Sequence, residues 1–272
     1  MDYNMSEIGR QQGFIVSAAE VTHAICREVP ATFDRAVVQS PSPEPIQASV
    51  AQEQHRAYVR ALEAIGLHVQ VLPADAQFPD CCFVEDCAVV AEGVALVARL
   101  GADSRRGEET AIAAALAPHA SLEPMNVPAT LDGGDCLRLG KRWYVGRSQR
   151  TNAAGIARLR SVFAPLGFEV IEVALDGILH LKCVCSRLDD ETMLLAEGSV
   201  PPEIFRDVRI LRVPAGEAYA ANCLSVRGTV LMPAGFPNTR RVVEAAGFPV
   251  IELDHSEIRK ADGAMTCLSI VV

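Results

Sequence analysis

Apolar and polar positions change period several times along this chain, and the changes recur in a fixed order. Residues 20–30 alternate closely enough to predict a first strand, and Ser40 to Pro45 reads as a Pro/Ser-rich loop. From Ile46 to Ile65 the period becomes helical, with Val50, Tyr58, Ala61, Leu62 and Ile65 on one face and Glu53, Arg56, Arg60 and Glu63 off it. Gly66 stops that helix, and Leu67 to Pro73 follows as a period-two strand. The run Phe78 to Leu100 predicts two strands turning at Glu92-Gly93.

This order is an internal repeat. The end of the helix and its strand, Ala-Ile-Gly-Leu-His-Val-Gln-Val-Leu (64–72), return as Pro-Leu-Gly-Phe-Glu-Val-Ile-Glu-Val (165–173) and as Ala-Ala-Gly-Phe-Pro-Val-Ile-Glu-Leu (245–253). Two weaker copies complete the set. One is the helix Glu108 to Ala117 with the strand Leu122 to Val127; the other is the strand Val208 to Val213, whose helix is expected in the segment from Ser199. A polar loop follows each strand and leads into a further strand or hairpin: Glu85-Asp86 before Cys87 to Val97, Asp132 to Asp135 before Cys136 to Val145, and Asp176, Gly177 and His180 before Leu181 to Ala196. Asn222 before Cys223 to Met232, and Asp262, Gly263 and Cys267 before the end, continue the series. Gly140-Lys141 and Arg227-Gly228 are the expected hairpin turns.

Such units predict an α/β fold, a five-fold pseudosymmetric propeller closed around a central channel, since a β-propeller blade would need no helix. The chain reads as a single catalytic domain over residues 1–272, with about 1–18 as an N-terminal extension. Closure would bring the equivalent loops to one end of the axis, so that distant polar residues share one pocket.

Composition narrows the function. A net charge of −9 without a Lys/Arg-rich run disfavours nucleic acid and anionic membranes as partners and permits small cations. No apolar run approaches a membrane span, and the polar start does not read as a signal peptide. Nine cysteines, with Cys81 and Cys82 adjacent and Cys183 and Cys185 one residue apart, suit a reducing cytoplasm better than a disulfide framework. Zinc is not expected on Cys81, Cys82, Cys87, Cys183 or Cys185, because structural sites pair two C-x2-4-C units and here only one spacing comes near, with apolar strand residues interleaved.

The chemistry centres on a lone thiol, Cys267, set between the turn at Asp262-Gly263 and the apolar run Leu268 to Val272. Taken singly, Cys267 and His180 are more often core residues and Asp132-Gly133-Gly134-Asp135 more often a turn. Placed at matching points of a repeat, they supply a nucleophile, a proton shuttle and a carboxylate to orient the imidazole. Asp80, Glu85 and Asp86 add negative charge that raises a thiol pKa unless a cation enters. A guanidinium fits, because it offers paired N–H donors to carboxylates and an electrophilic carbon to sulfur.

These residues resemble the dimethylarginine dimethylaminohydrolase family of the pentein superfamily. The resemblance runs from about Thr22 to Val271, through Thr22-His-Ala, Pro79 to Val90, Ser104-Arg-Arg, Ala129 to Cys136, Arg150-Thr-Asn152, Asp176 to Lys182, Ala221-Asn-Cys223 and Asp262 to Cys267. It implies hydrolysis of an Nω-methylated arginine to citrulline and a methylamine, without metal or organic cofactor, by a monomer or homodimer. It implies Cys267 as nucleophile, His180 as acid and base, and Asp132 as its orienter. Asp86 and Glu85 would hold the guanidinium, Asp80 the α-amino group with backbone oxygens near Val38 and Ala261, and Arg99 and Arg150 the α-carboxylate. Ile178 is an extra residue against the family pattern, just before Leu179-His180. Arginine deiminases and amidinotransferases use a similar site and remain the alternatives, as do a non-catalytic amino-acid-binding protein on the same fold and a cysteine-rich metal sensor.

Overall fold

The computed structural model describes residues 21–39 and 42–272; the expected extension over about 1–18, with Ser40 and Pro41 of the predicted loop, lies outside the described residues. Among the described residues, fifteen strands form five three-stranded sheets. One sheet holds β1 (His23–Arg27), β2 (His68–Leu72) and the terminal β15 (Ile270–Val271). The others are β3 (Ala88–Ala91), β4 (Val94–Val97) and β5 (Ser121–Pro124); β6 (Cys136–Leu139), β7 (Arg142–Arg147) and β8 (Glu169–Ala174); β9 (Cys185–Arg187), β10 (Thr192–Ala196) and β11 (Arg209–Val213); and β12 (Leu224–Val226), β13 (Thr229–Pro233) and β14 (Val250–Leu253).

In every sheet the middle strand pairs antiparallel with one neighbour and parallel with the other. The parallel pair needs a crossover, and the crossovers carry the helices. These are α1 (Ala48–Ala64), α2 (Glu108–Leu116), α3 (Ala153–Phe163) and α4 (Pro237–Ala245), with a short α5 (Ser256–Lys260) after β14. Gly66, Gly167 and Gly247, the glycines of the three strong repeats, all lie in the left-handed region at φ +96, +82 and +98. Each turns the chain out of its crossover segment and into a strand, a conformation that costs a residue with a Cβ more.

Each crossover fills the wedge between its own sheet and the preceding one. Ile112 and Leu116 of α2 meet Ile25 and Ile270, and Ile156, Leu159 and Phe163 of α3 meet Val89 and Leu96. Val243 of α4 meets Leu194 and Ala196, and Tyr58 and Leu62 of α1 share a cluster with Val226 and Leu231. The fourth wedge differs from expectation. Where a helix was expected from Ser199, the chain makes one 3₁₀ turn, Pro202–Ile204, because Pro201 and Pro202 withhold two backbone donors. Val200, Ile204 and Phe205 fill the space instead, with the Phe205 ring centroid 4.9 Å from that of Tyr144. β15 closes the circle by pairing with β1, which joins the two ends of the described chain in one sheet.

The run Phe78 to Leu100 is two strands only from Ala88 to Val97, since Val84–Cys87 is a 3₁₀ turn. The same device leads into the antiparallel outer strand of every other sheet: Gly133–Asp135, Leu181–Cys183, Ala218–Ala221 and Thr266–Leu268. The buried face of α1 also differs from the apolar stripe. It includes Gln54 and His55, while Val50 is only half-buried. Gln54 is satisfied by α5, donating to Ser256 Oγ at 2.8 Å and accepting from the Glu257 amide at 3.0 Å. No helix among the described residues is long and apolar enough to cross a membrane.

His55 and His255 are 2% and 3% exposed, and burial lowers both to a pKa of about 4. The unfolded chain binds protons at these rings near pH 6.5 while the folded chain refuses them until about 4, so stability is lost as pH falls through that window. The upper bound is about 3 kcal/mol per ring. Relative to wild type, a His55→Leu variant should therefore gain stability on going from pH 7 to 4.5, read as the difference between the two proteins' urea midpoints at each pH.

Candidate active site

The five 3₁₀ turns converge, and their polar residues interlock across the axis. His180 leads into the third turn in extended conformation, and its Nε2 donates to Asp132 Oδ2 at 3.1 Å. Asp132 is fully buried, accepts the Gly101 amide at 2.8 Å on its other oxygen, and has Arg150 Nη1 at 3.5 Å. Asp86 accepts the Gly134 amide on Oδ1 at 2.9 Å and Arg105 Nη1 on Oδ2 at 2.6 Å. A side chain at Gly134 has no room: a Cβ would stand 2.8 Å from His180 Nδ1 and 2.9 Å from Asp86 Oδ1. Asp135 steadies the next residue along, accepting the Leu181 amide at 3.0 Å and Ser148 Oγ at 2.6 Å.

A cleft opens over this network. Asp80, Asp86, Arg105, Arg150, His180 and Cys267 line it, together with Val37, Phe83, Leu179 and Ala261 to Gly263. Asp80 is held at its edge by the Val37 amide, 3.1 and 3.2 Å from its two oxygens. Beside it lies a wider surface cleft, bounded by Gln39, Ser148, Gln149 and Asp176 to Ile178. It holds neither cysteine nor histidine, so the smaller cleft is the candidate for the chemistry.

Of the residues expected from sequence, Asp80, Asp86, Arg150, His180, Ala261 and Cys267 share the cleft, and Asp132 stands behind His180. Three do not line it. Val38 packs half-buried against the apolar core, and its neighbour Val37 faces the cleft. Glu85 is occupied elsewhere, with Lys182 Nζ at 2.6 Å on one oxygen and Thr266 Oγ1 at 2.6 Å on the other. Arg99 is half-buried just past the end of β4, where its backbone carbonyl accepts the Leu131 amide. Arg105 takes the place expected for Arg99. It is the last residue of the 3₁₀ turn Asp103–Arg105, its side chain buried, and its signal was the Ser104-Arg105-Arg106 motif. Its guanidinium also binds Glu108, at 2.9 Å, and the Phe83 carbonyl, at 3.2 Å. Residues 29–213 match the family model described as N,N dimethylarginine dimethylhydrolase, eukaryotic.

The chain belongs to the dimethylarginine dimethylaminohydrolase family. It is 39% identical over 222 residues to the N(G),N(G)-dimethylarginine dimethylaminohydrolase of Pseudomonas aeruginosa, covering 81% of this chain and 87% of that one. It is 39% identical over 255 residues to that of Streptomyces coelicolor, covering 87% and 96%. The solved structure of a cysteine-to-serine mutant of the Pseudomonas aeruginosa protein, complexed with citrulline, is similar at a TM-score of 0.89 and 35% identity, over 93% of this chain and 100% of that one. Its fold is therefore the pentein fold of that family.

The charges in this family member's cleft set its resting protonation. Burial works against a charged His180, but Asp86 and the Asp132 hydrogen bond outweigh it and raise its pKa to about 9. Burial likewise works against an ionised Asp86, yet His180 and Arg105 hold it down at about 2. The Cys267 thiol is pushed well above its ordinary value by burial and then by Glu85 and Asp86. At neutral pH the empty cleft thus holds an imidazolium, a carboxylate and an un-ionised thiol. Among the described residues the cysteines form no cluster of three that could share a metal, and all nine are unbridged. Ring NMR should place the His180 titration near pH 9, and Asp86→Asn, which removes the largest favourable charge, should move it down by at least about one unit.

Proposed function

We propose that the chain hydrolyses Nω-methylated L-arginine to L-citrulline and di- or monomethylamine, the five units acting as one catalytic domain. The observation that carries this reading is the meeting of Cys267, His180 and Asp86 in one small cleft. It is supported by the citrulline complex of the similar Pseudomonas aeruginosa protein.

In this reading a guanidinium enters beside Asp86, and its positive charge lowers the thiol pKa so that Cys267 ionises as substrate binds. The sulfur attacks the guanidinium carbon to form a C–S bond. His180 gives its proton to the departing amine, which leaves as the C–N bond breaks and a thiouronium remains on Cys267. Neutral His180 then takes a proton from water as the hydroxide adds to the same carbon, and the C–S bond breaks as the added hydroxyl passes its proton to sulfur, which releases citrulline and restores the un-ionised thiol. Asp132 keeps the imidazole oriented, as its hydrogen bond to Nε2 supports.

Asp80 would bind the α-amino group, with the Ala261 carbonyl and the backbone beside Val37 and Val38. Arg150 would meet the α-carboxylate. Arg105 replaces Arg99 as its partner, because it lines the cleft and Arg99 does not. The demand for a carboxylate would exclude agmatine. The nine unbridged cysteines favour a reducing compartment such as the cytoplasm.

The test is citrulline release from asymmetric dimethylarginine, monomethylarginine and arginine, run beside Cys267→Ser. The methylated substrates should turn over and the variant should not. Arginine as the best substrate would move the assignment to a deiminase, and tight binding without turnover would end the enzyme reading. In the same assay Arg150→Ala should raise KM at least about tenfold, as expected when a desolvated charge loses its partner, while Arg99→Ala should leave it within about twofold.

A further inference from the structure

We propose that Lys182 is a positioning residue for the nucleophile: it holds Glu85, and Glu85 holds Thr266, the residue immediately before Cys267. This deepens the proposed reaction and rests on Cys267 being its nucleophile.

The argument begins with where Glu85 has gone. A carboxylate expected to face substrate has both oxygens engaged inside the protein, one by Lys182 Nζ at 2.6 Å and the other by Thr266 Oγ1 at 2.6 Å. Lys182 Nζ also donates to the Gly133 carbonyl at 3.1 Å. Asn222 completes a closed circuit. Its Nδ2 donates to the Lys182 carbonyl at 2.9 Å and to Thr266 Oγ1 at 3.1 Å, and its Oδ1 accepts the Thr266 amide at 3.0 Å. One residue from each of the five units takes part, so the circuit fixes the last turn of the chain relative to the other four.

The Lys182 and Glu85 side chains are only 16% and 13% exposed. Without Lys182, Glu85 would be a nearly buried charge lacking its counter-ion, the costly half of a broken pair. Two consequences reach Cys267. Thr266 would lose a fixed acceptor, and small displacements of a nucleophile are expensive in rate. The uncompensated Glu85 charge would also act on the thiol, on which it already exerts the largest effect after burial. Lys182 itself lies outside the cleft lining, so substrate affinity is not its direct concern.

The experiment compares Lys182→Met, Lys182→Arg and Lys182→Met/Glu85→Gln with wild type. The readouts are kcat and KM on dimethylarginine, the pH dependence of Cys267 alkylation by iodoacetamide, and thermal unfolding. Lys182→Met should lower kcat about a hundredfold with KM nearly unchanged, the size expected for a misplaced reacting group, and move the alkylation profile to higher pH. Lys182→Arg should recover most of the loss. The double variant should have a higher kcat than Lys182→Met, because the stranded carboxylate is gone. If Lys182→Met does not fold, the double variant carries the test: an alkylation profile displaced upward less than about half a unit, with kcat lowered, supports the mechanism. The proposal is overturned if the Lys182 variants lose only thermal stability, or if the double variant is as slow as Lys182→Met. Should wild type fail on every methylated arginine, the reaction reading falls, and the alkylation profiles still decide the role of Lys182.

Discussion

A carboxylate taken out of water must find a counter-charge or a set of donors, and that constraint governs the axis of this molecule. The five 3₁₀ turns bring Glu85, Asp86, Asp132 and Asp135 together, four acids in little space. Each is answered by a group from another unit or from the loop leading to it: Glu85 by Lys182 and Thr266, Asp86 by Arg105 and the Gly134 amide, Asp132 by His180 and the Gly101 amide, and Asp135 by Ser148 and the Leu181 amide. The apolar wedges between sheets supply the burial energy. The polar axis sets which turn faces which, because a displaced unit would strand at least one of these charges.

The same constraint separates what could be read in the sequence from what could not. The repeats announced themselves because the helix stop and the strand after it demand a glycine at positive φ and an alternating apolar run, both local properties. The candidate chemical residues stood out through their place in the repeat, as with His180 and Cys267, which the fold brings to one cleft. Side-chain destinations did not. Arg99 and Arg105 are both arginines shortly after β4, and only the second, the last residue of a 3₁₀ turn, is buried. Glu85 and Asp86 are adjacent acids on one short turn, so they point to different partners, and periodicity carries no trace of which one meets the cleft. The missing fourth helix was legible in principle, since Pro201-Pro202 with Gly198 opposes a helix. The pull of symmetry outweighed a local signal that was correct.

The resting protonation follows from how these charges are placed. His180 is flanked by anions and stays charged, while Cys267 sits half-buried among them and stays neutral, so both side chains hold their protons until something alters the field. A guanidinium supplies the missing positive charge where the thiol needs it. In the proposed reaction substrate binding and nucleophile activation become one event, so that a low-pKa thiol forms only beside its substrate.

The field also bears on the end of the cycle. Hydrolysis converts a guanidinium into a urea, and a neutral urea has no net charge for Asp86 to attract. The Coulomb energy that favoured entry is withdrawn when the C–S bond breaks, while the contacts at the amino-acid end of the ligand are unchanged. Product therefore binds less well than substrate at the reacting end alone, and turnover requires no separate device to expel it. In the proposed reaction a cleft built around anions thus selects the cation it acts on, ionises its nucleophile through that cation, and loosens its hold once the charge has been destroyed.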